Sequence, residues 1–486
     1  MHVALDLGAG SGRALAGRLD AAGLVLQEVF RFHYAPRQRN GHLRWNVPAL
    51  FDGLVQGLQA ARRTAEGSGT TLTTVGVDAW GVDYGLYHRT GRLLEEPICY
   101  RDDRTRGVME SVLERLPRAT LFERTGVQFL PINTIYQLVA HVRAGLPSEA
   151  WRLLMIPDIC HHFLAGSLTT EYTNATTTQL LNARTRRWDD ETFLQLGLPR
   201  WLMPPIVEPG TVLGPLRAAR QAEVGGTGIQ VVAPATHDTA SAVLGTPLRP
   251  GWAYISSGTW SLVGVERSAP LLGPEVAEAN FTNEGGVFGT VRFLRNVMGL
   301  WLLEACRQEW GEAAADLTTL VEAAAGCGPC GIVDPDAPGL LNPPSMTRAI
   351  ASALKAAGRQ PPADHAGFGR VIFDSLAVRY AAVLDTIERL TGETIAGVHI
   401  VGGGSRNRYL NQATADASGR PVLAGPVEAT AIGNIIVQAV ATGAVRSVAE
   451  AREIVARSIP MQQFEPRPGG PWAELRERLR QIERRP

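Results

Sequence analysis

One pattern occurs twice in this chain and limits what it can fold into: an apolar strand, a short turn of glycine and hydroxyl residues, and a second strand. The first copy occupies residues 1–13, where the turn Gly8-Ala-Gly-Ser-Gly12 is followed by Arg13. The second copy begins near Ala253 and has the turn Ser256-Ser-Gly-Thr259. A scheme that restarts halfway along the chain predicts two similar α/β domains.

The segment Gly245-Thr-Pro-Leu-Arg-Pro-Gly251 is rich in proline and glycine and lies just before the second copy, so it predicts the domain boundary. We expect an N-terminal domain over residues 1–245, a second domain over 246–456 and a C-terminal extension over 457–486. At 486 residues the chain is long enough for each domain to bury its own core.

Hydrophobic patterning predicts the same order of elements in both halves: a meander of strands, a helix, a strand and further helices. The first half is expected to have strands over 2–7, 13–19, 24–32, 73–78 and 229–234, helices starting at 47 and over 134–143, 159–164, 189–196 and 236–243, and a polar loop over 171–178. The second half is expected to have strands over 253–256, 260–265 and 398–401, and helices over 297–310, 364–390 and 407–417.

Composition excludes several classes of protein. The 47 basic residues balance 47 acidic ones, so no net attraction to nucleic acid or to an anionic membrane is expected. The longest apolar run, near 435–445, is too short to cross a bilayer. Five cysteines in so long a chain and the absence of a basic leader favour a cytoplasmic protein. The pair Cys327-Gly-Pro-Cys330 is interpreted as a loop with two thiols.

Lys355 is the only lysine in the sequence, and this narrows the possible phosphate chemistry. Neither a GxxxxGK[ST] phosphate loop nor a protein-kinase lysine motif can be present. Any phosphate would therefore be bound by backbone amides, arginine, hydroxyl groups and a metal ion.

Three glycine-rich turns are candidates for that role: 8–12, 256–259 and 402–404. Glycine permits positive φ and a close approach of the backbone to a ligand, and we expect both at Gly8, Gly10 and Gly12. Two such hairpins facing a cleft could hold a triphosphate, while the turn Gly402-Gly-Gly404 between a strand and a helix could contact adenosine. The alternative is three unrelated turns with nothing bound.

Asp238 is the candidate catalytic base. An aspartate at a helix start is most often an N-cap, but Thr236, His237 and Thr239 form an unusually dense polar set around this one. Its carboxylate could accept a proton from a substrate hydroxyl as that hydroxyl attacks a phosphoryl group. In that role the pKa of Asp238 need not be raised.

Other candidate residues each have a structural alternative, and for Asp6 the two interpretations are about equal. Asp6 could contact Mg²⁺ indirectly or be a turn residue. Trp80 could stack on a sugar, with Gly81 allowing close approach and Asp78 or Asp83 binding hydroxyls, although a buried core tryptophan is the usual case. Asn296, which precedes a predicted helix, is by default an N-cap, and His161 and His162 are interpreted as structural.

Nine segments spread over nearly the whole chain are more specific together than any one motif. They are Asp6–Arg13, Val77–Asp83, Tyr100–Asp102, Gln128–Thr134, Glu171–Leu180, His237–Ala242, Ser256–Ser261, Asn296–Leu303 and Ile400–Gly404. In sequence and order they resemble the FGGY carbohydrate kinases of the actin and hexokinase superfamily.

This resemblance implies two RNase H-like domains around a central cleft. It also implies transfer of the γ-phosphate of ATP, with Mg²⁺, to the 1-hydroxyl of a ketose, and the match is closest to members that act on L-rhamnulose. Asp238 matches the family's catalytic base. Positions that match nucleotide contacts are Ala9, Gly10, Ser11, Gly12, Arg13, Thr259, Glu304, Gly402 and Gly403, and those that match sugar contacts are Trp80, Gly81, His237, Asp238, Thr239 and Asn296.

Three residues depart from the family pattern: Glu304 replaces a common glutamine near the nucleotide, Ala79 a common threonine and Gly10 a common serine. The changes at Ala79 and Gly10 leave the sugar preference and the phosphate affinity open. An acid near ATP would be unfavourable unless it points away or meets an arginine. The alternatives are a kinase for another ketose, such as L-fuculose or L-xylulose, and a catalytically silent sugar-binding regulator. The sequence does not indicate the oligomeric state.

Overall fold

The computed structural model describes residues 1–311 and 316–484. They form two compact units, each built from three segments: unit 1 comprises 1–247, 266–293 and 429–458, and unit 2 comprises 248–265, 294–428 and the chain from 459 onward. The first segment ends close to the expected boundary after residue 245. Of the expected extension, 457–458 group with unit 1 and 459–484 with unit 2, while 485–486 lie outside the described residues.

Unit 1 contains a central sheet and the helices that cover it. Its strands are β1 (His2–Leu7), β2 (Ser11–Asp20), β3 (Gly23–His33), β4 (Arg37–Arg39), β5 (His42–Arg44), β6 (Thr74–Ala79), β7 (Tyr84–Tyr87), β8 (Arg152–Met155), β9 (Thr170–Glu171), β10 (Leu181–Asn182), β11 (Arg187–Trp188), β12 (Ile206–Val207), β13 (Val212–Pro215), β14 (Gln230–Val232) and β17 (Thr282–Gly285). Its α-helices are α1 (Val47–Gly67), α2 (Val108–Arg115), α3 (Arg118–Thr125), α4 (Thr134–Ala144), α5 (Ile156–Ala165), α6 (Tyr172–Thr176), α7 (Asp190–Leu196), α8 (Ala218–Val224), α9 (Asp238–Leu244), α10 (Pro274–Glu278), α16 (Ala429–Ala441) and α17 (Val448–Ser458).

Unit 2 is built on the same plan. Its strands are β15 (Trp252–Ser257), β19 (Gly397–Val401), β20 (Val422–Ala424) and β21 (Gln462–Phe464), together with most of β16 (Trp260–Arg267) and β18 (Val291–Met298). Its α-helices are α11 (Trp301–Trp310), α12 (Leu317–Gly326), α13 (Met346–Ala356), α14 (His365–Thr391), α15 (Arg408–Ser418) and α18 (Trp472–Glu483). Short 3₁₀ helices lie at Asp103–Thr105, Arg200–Leu202, Pro338–Leu340 and Gly403–Arg406.

The sheet of unit 1 has the strand order β13-β14-β6-β1-β2-β3, with β1 antiparallel to β2 and parallel to β6. Successive side chains of a strand point to opposite faces. The glycines of α1 lie against one face, where Leu5 and Ala14 approach Gly57. Asp6 lies on the opposite face with His2 and Ala4, and α16 covers that face through Asn434 and Ile435, which approach Gly76 and Gly17.

Unit 2 repeats this topology, which confirms the internal repeat predicted from the sequence. Its strands follow the order β18-β16-β15-β19-β20-β21, and β15 is antiparallel to β16 and parallel to β19. The hairpin β1–β2 therefore corresponds to β15–β16, and β6 corresponds to β19. The predicted α/β fold class is confirmed.

Two expected elements differ in the structure. The segment Glu171–Thr178, expected to be a loop, contains the short helix α6 because Glu171 caps it by accepting a hydrogen bond from the Thr173 N–H at 2.8 Å. The helix expected over 297–310 begins only at Trp301, and Val297 and Met298 end strand β18. Within the described residues, no helix combines the length and apolar character needed to cross a bilayer.

Candidate active site

The site in unit 1 is built around the turn that leads into α9. Strand β6 ends at Ala79, whose N–H donates a hydrogen bond of 2.9 Å to the carbonyl oxygen of Thr236. At the other end of the turn, the Ser241 hydroxyl donates to the Ala235 carbonyl at 2.7 Å. These bonds fix the loop between β14 and α9, and Asp238 is the first residue of α9.

A buried carboxylate outside the turn holds it in place. Glu171 accepts hydrogen bonds from the backbone N–H and the hydroxyl of Thr236, at 2.9 and 2.7 Å. The Thr173 hydroxyl accepts a 3.1 Å hydrogen bond from the His237 N–H. Burial raises the pKa of Glu171, although its hydrogen bonds to Thr173 and Thr236 oppose this. The loop residues before Asp238 are thus positioned by charge-assisted bonds.

The Asp238 carboxylate is surrounded by protein yet remains reachable, with 34 % of its side chain exposed. Its Oδ1 accepts hydrogen bonds from the N–H and the hydroxyl of Thr239, at 2.5 and 3.1 Å. Desolvation raises the pKa of Asp238 above its ordinary value, and the nearby charge of Asp6 adds to this, while His237 and Thr239 lower it. A raised pKa suits a group that accepts a proton, although the sequence analysis did not require the pKa of Asp238 to be raised.

His237 connects Asp238 to a buried ion pair. Its Nε2 lies 3.6 Å from Asp238 Oδ1, and its Nδ1 lies 3.0 Å from a guanidinium nitrogen of Arg292 and 3.3 Å from Glu284 Oε2. Arg292 is fully buried, pairs with Glu284 at 3.1 Å and donates a 2.9 Å hydrogen bond to the Gly285 carbonyl. The sequence analysis assigned no role to Arg292 or Glu284.

Asp6 lies on the same face of the sheet as Asp78, its register partner in β6. The Arg13 guanidinium donates to Asp6 Oδ2, so these two predicted phosphate-site residues form an ion pair. Asp78 is fully buried and accepts from the Asn434 side chain at 2.5 Å. Burial and the neighbouring Asp6 raise the pKa of Asp78 well above its usual range.

A metal site made of protein ligands alone does not fit these residues. In the parts of the chain that the structure describes, no group of three histidine, cysteine or acidic side chains could hold a metal ion. Asp6 already bonds Arg13. A Mg²⁺ ion bound mainly by substrate phosphates and water, with one carboxylate nearby, fits better, because Mg²⁺ keeps several waters in phosphate-transfer sites.

The first glycine turn differs from expectation in its backbone. Gly8, Gly10 and Gly12 do not adopt positive φ, so that expectation was wrong. Gly12 is required instead by packing, because a Cβ there would lie 2.3 Å from the Phe32 ring. A Cβ on Gly10 would meet nothing within 4 Å, so its surroundings are open.

Tyr34 binds two carbonyl groups of this turn. The Tyr34 hydroxyl donates to the Gly8 carbonyl at 2.6 Å, and the Tyr34 N–H donates to the Gly10 carbonyl at 3.3 Å. Among the described residues, the N–H groups of Ala9 and Gly10 have no protein acceptor. Together with the Ser11 hydroxyl, these amides are suited to bind an anion.

Trp80 and Gly81 follow β6, and Trp80 is buried. The Trp80 ring centroid lies 4.3 Å from that of Trp45, and both indole N–H groups donate to Asp83 Oδ2, at 3.1 and 2.6 Å. A Cβ on Gly81 would lie 2.8 Å from the Thr177 hydroxyl, so protein packing already requires glycine there.

The idea that Asp78 or Asp83 binds sugar hydroxyls is wrong. Both carboxylates are fully buried, and Asp83 is occupied by Trp45, Trp80 and Gln137. A role for Trp80 in contacting a sugar stays a prediction.

In unit 2 the structure brings two of the predicted glycine turns together. Gly402 has φ 80°, and a Cβ there would lie 3.0 Å from the Ser257 carbonyl oxygen. A Cβ on Gly404 would lie 2.0 Å from Ser257 Oγ. Thr259 and Gly403 are exposed beside these contacts. Glycine is therefore needed at 402 and 404 for the turns to meet, and the exposed residues are left for a ligand.

Two other predicted residues of unit 2 lie on or before α11. Glu304 is about half exposed and pairs with Arg307 at 3.3 Å. An acid near ATP was expected to be unfavourable unless it points away or meets an arginine, and Glu304 meets one. The turn carbonyls of Gly258 and Thr259 accept from N–H groups near the start of α11, at 2.9 and 3.2 Å. Asn296 lies in strand β18, so its interpretation as an N-cap was wrong.

Comparison with known proteins decides the family. Residues 1–245 match the N-terminal domain of the FGGY family of carbohydrate kinases, and residues 253–442 match its C-terminal domain. The chain belongs to the FGGY family of carbohydrate kinases. This FGGY protein is therefore a sugar kinase, as the resemblance of its motifs implied.

Similar FGGY proteins cover nearly the whole chain. A rhamnulokinase of Pectobacterium carotovorum is 44% identical over 96% of this chain and 93% of its own length. A rhamnulokinase of Bacteroides thetaiotaomicron is 40% identical over 96% of both chains. A xylulose kinase structure from Lactobacillus acidophilus matches with a TM-score of 0.78 at 14% identity, covering 99% of this chain and 97% of that one, which shows the two-domain sugar kinase fold.

Sequence reasoning missed the residues that support Asp238 from behind: Glu171, Glu284 and Arg292. All three are buried and distant in sequence from the turn they serve. A signal was present, because an arginine inside the apolar strand Val291–Met298 has to be paired with an acid. The sequence alone does not say which acid.

Proposed function

We propose that this FGGY kinase transfers the γ-phosphate of ATP to the 1-hydroxyl of L-rhamnulose, giving L-rhamnulose 1-phosphate and ADP. The observation that carries the proposal is the accessible Asp238 carboxylate at the head of α9, with His237 beside it. The substrate follows from relatives named rhamnulokinase that are about equal in length to this chain.

Asp238 is the proposed catalytic base. Its exposed carboxylate accepts the proton of the sugar hydroxyl as the hydroxyl oxygen attacks the γ-phosphorus, and the bond to the leaving ADP oxygen breaks. The Thr239 N–H and hydroxyl donate to Oδ1, so the orientation of the whole carboxylate is fixed. His237, Thr239, Trp80, Gly81 and Asn296 are the proposed sugar contacts.

Backbone amides provide the proposed phosphate contacts. The N–H groups of Ala9 and Gly10 and the Ser11 hydroxyl, with Gly12 and Arg13, contact the phosphates. In unit 2, Thr259 and the turn Gly402-Gly403 contact the nucleotide, with Glu304 close by. A bound Mg²⁺ would supply positive charge that offsets the negative charge of the phosphate oxygens, and Asp6 is the residue proposed to hold it indirectly, through water.

The experiment is a coupled assay of ADP release with L-rhamnulose, L-fuculose, L-xylulose, L-ribulose and glycerol, against a control without sugar. We expect the highest kcat/KM with L-rhamnulose and phosphorus NMR of the product to show a phosphate on carbon 1. A higher kcat/KM with L-fuculose or L-xylulose would replace the proposed substrate. No sugar-dependent ADP release with any of the five would refute a kinase function, leaving a sugar-binding regulator.

A further inference from the structure

We propose that the buried pair Arg292–Glu284 is a positioning device that orients His237 so that its Nε2–H points toward Asp238. Arg292 and Glu284 act through His237, so they are positioning residues. The significance of this for catalysis rests on the proposed role of Asp238 as base, whereas the orientation of His237 does not.

The geometry around Nδ1 carries the inference. A guanidinium nitrogen of Arg292 lies 3.0 Å from Nδ1 and 3.1 Å from Glu284 Oε2, so one group contacts both partners. Arg292 has no exposed surface and Glu284 only 4 %. A second nitrogen of Arg292 is held by the Gly285 carbonyl at 2.9 Å, which fixes the plane of the guanidinium.

Arginine can only donate hydrogen bonds, so a neutral His237 must accept at Nδ1 and carry its proton on Nε2. A protonated His237 also carries a proton on Nε2. The neutral tautomer with Nδ1–H and a bare Nε2 is disfavoured, because it loses the hydrogen bond that Arg292 donates to Nδ1 and turns a lone pair toward Asp238. Both favoured states therefore present Nε2–H to Asp238.

The gap between His237 and Asp238 shows how this orientation could serve the reaction. The distance of 3.6 Å from Nε2 to Oδ1 is longer than a hydrogen bond. A substrate hydroxyl arriving there meets an N–H donor and a carboxylate acceptor side by side. The donor bonds the hydroxyl oxygen while the acceptor takes its proton, so the reacting oxygen is held during transfer.

The charges around Asp238 predict how its titration responds. His237 lowers the pKa of Asp238, and Asp6 raises it. Asp6 is itself paired with Arg13, and the buried Asp78 and Tyr34 also interact with this group of charges. A bare Nε2 in place of Nε2–H would remove stabilisation of the carboxylate, so the pKa of Asp238 would rise.

The test is the double variant Glu284→Leu with Arg292→Met, which removes both charges and leaves the net charge unchanged. Apolar replacement of a buried ion pair is often tolerated by the fold, whereas removal of one partner is not. We expect kcat to fall by roughly tenfold to hundredfold, the loss that is typical when the hydrogen-bond partner orienting a metal-binding histidine is removed. The acidic limb of the pH profile of kcat/KM should shift to higher pH by about one unit. KM for ATP should stay within about twofold of the wild-type value.

The matched control is Glu95→Leu with Arg44→Met. This pair, 2.9 Å apart, also contacts a histidine, since Glu95 lies 3.4 Å from His141, and Arg44 is buried like Arg292. We expect the control to leave the pH profile unchanged. The conservative variant Arg292→Lys keeps a buried donor and should retain the wild-type acidic limb. An unchanged limb in the Glu284–Arg292 double variant would refute the proposal.

A second measurement is independent of activity. In protein labelled with ¹⁵N-histidine, the His237 signal can be recognised among the ten histidines by its loss in His237→Gln. We expect the wild-type imidazole to be protonated at Nε2 and the double variant to show a mixture of tautomers. A wild-type Nδ1–H tautomer would overturn the positioning role even if the kinase assay succeeds, and a failed kinase assay would leave this result standing.

Discussion

Three aspartates near the end of β6 share a residue type and differ in what their surroundings allow. Asp238 keeps a third of its side chain exposed, while Asp78 and Asp83 are fully buried. Only an accessible carboxylate can exchange a proton with a substrate hydroxyl. Exposure, rather than the presence of an acid, therefore separates the proposed base from two structural groups.

Replacing the base gives a direct prediction. In Asp238→Asn the amide cannot accept the hydroxyl proton, so we expect kcat to fall by about 10³-fold or more. ATP binding, measured by calorimetry, should stay within a few-fold because no predicted nucleotide contact is removed. The matched control is Asp52→Asn on the exposed side of α1. Near-normal turnover of Asp238→Asn would remove Asp238 as the base.

Asp83 provides a prediction about stability. Desolvation raises the pKa of Asp83 to about 6, although hydrogen bonds from Trp45, Trp80 and Gln137 oppose the shift. The folded state then binds more protons than the unfolded state between about pH 4 and 6, so the contribution of Asp83 to stability falls as pH rises through that window.

Asparagine cannot titrate, so Asp83→Asn should lose this pH dependence. We expect the free energy of unfolding of the wild type, relative to Asp83→Asn, to decrease by up to about 3 kcal/mol between pH 4 and 7. Urea unfolding of both proteins at several pH values measures it. A difference that stays constant across the range would mean that Asp83 is not buried as a titrating acid.

At the scale of elements, the helix that carries Asp238 is held by an unusually close crossing. A Cβ on Gly433 of α16 would lie 1.8 Å from the Ser241 carbonyl oxygen, and a Cβ on Gly245 would lie 2.1 Å from the Ala429 carbonyl oxygen. Both contacts are with backbone atoms, which cannot rotate away. The backbones of α9 and α16 can approach this closely only with glycine at the crossing.

Gly433→Ala should therefore push α9 away from α16. We expect a loss of about 1–3 kcal/mol in the free energy of unfolding, typical of overpacking, together with a lower kcat because Asp238 moves. Gly67→Ala is the control, since a Cβ at Gly67 in α1 meets nothing within 4 Å. Chemical denaturation and the coupled assay report the two effects, and a Gly433→Ala protein as stable as the control would contradict the close crossing.

The elements also show what sequence patterns can predict. Both hairpins, the start of α1, helix α14 and the turn at Gly402 follow local rules of periodicity and turn chemistry. They were predicted with small errors in their bounds. Asn296 was misassigned because the apolar pattern continues from β18 into α11, so the change from strand to helix leaves no break. Long-range partners such as Arg292 and His237 depend on tertiary packing, which no local pattern contains.

At the scale of the whole molecule, unit 1 is completed by residues 429–458, which follow the longest segment of unit 2 in the sequence. The Asn434 side chain of α16 donates to the Gly76 carbonyl at 3.2 Å, and that of Gln438 donates to the Val3 carbonyl at 2.8 Å. Without α16, one face of the sheet would expose apolar side chains and lose these bonds. The sequence predicted the repeat but placed this segment in the second domain.

A fragment test follows. Residues 1–247 alone should lack a cooperative thermal transition by circular dichroism, because the sheet face that carries Asp6 is uncovered. Joining residues 429–458 to this fragment through a flexible linker should restore such a transition. A cooperative transition in residues 1–247 alone would show that α16 is dispensable for unit 1.

The late position of α16 has a consequence for synthesis. A ribosome adds residues in order, and α16 begins at Ala429 whereas α9 ends at Leu244. The strands of unit 1 and the helix carrying Asp238 leave the ribosome long before the helix that covers them. The nascent chain must therefore carry an uncovered sheet while residues 245–428 are added, and the proposed base reaches its final surroundings only after α16 has followed.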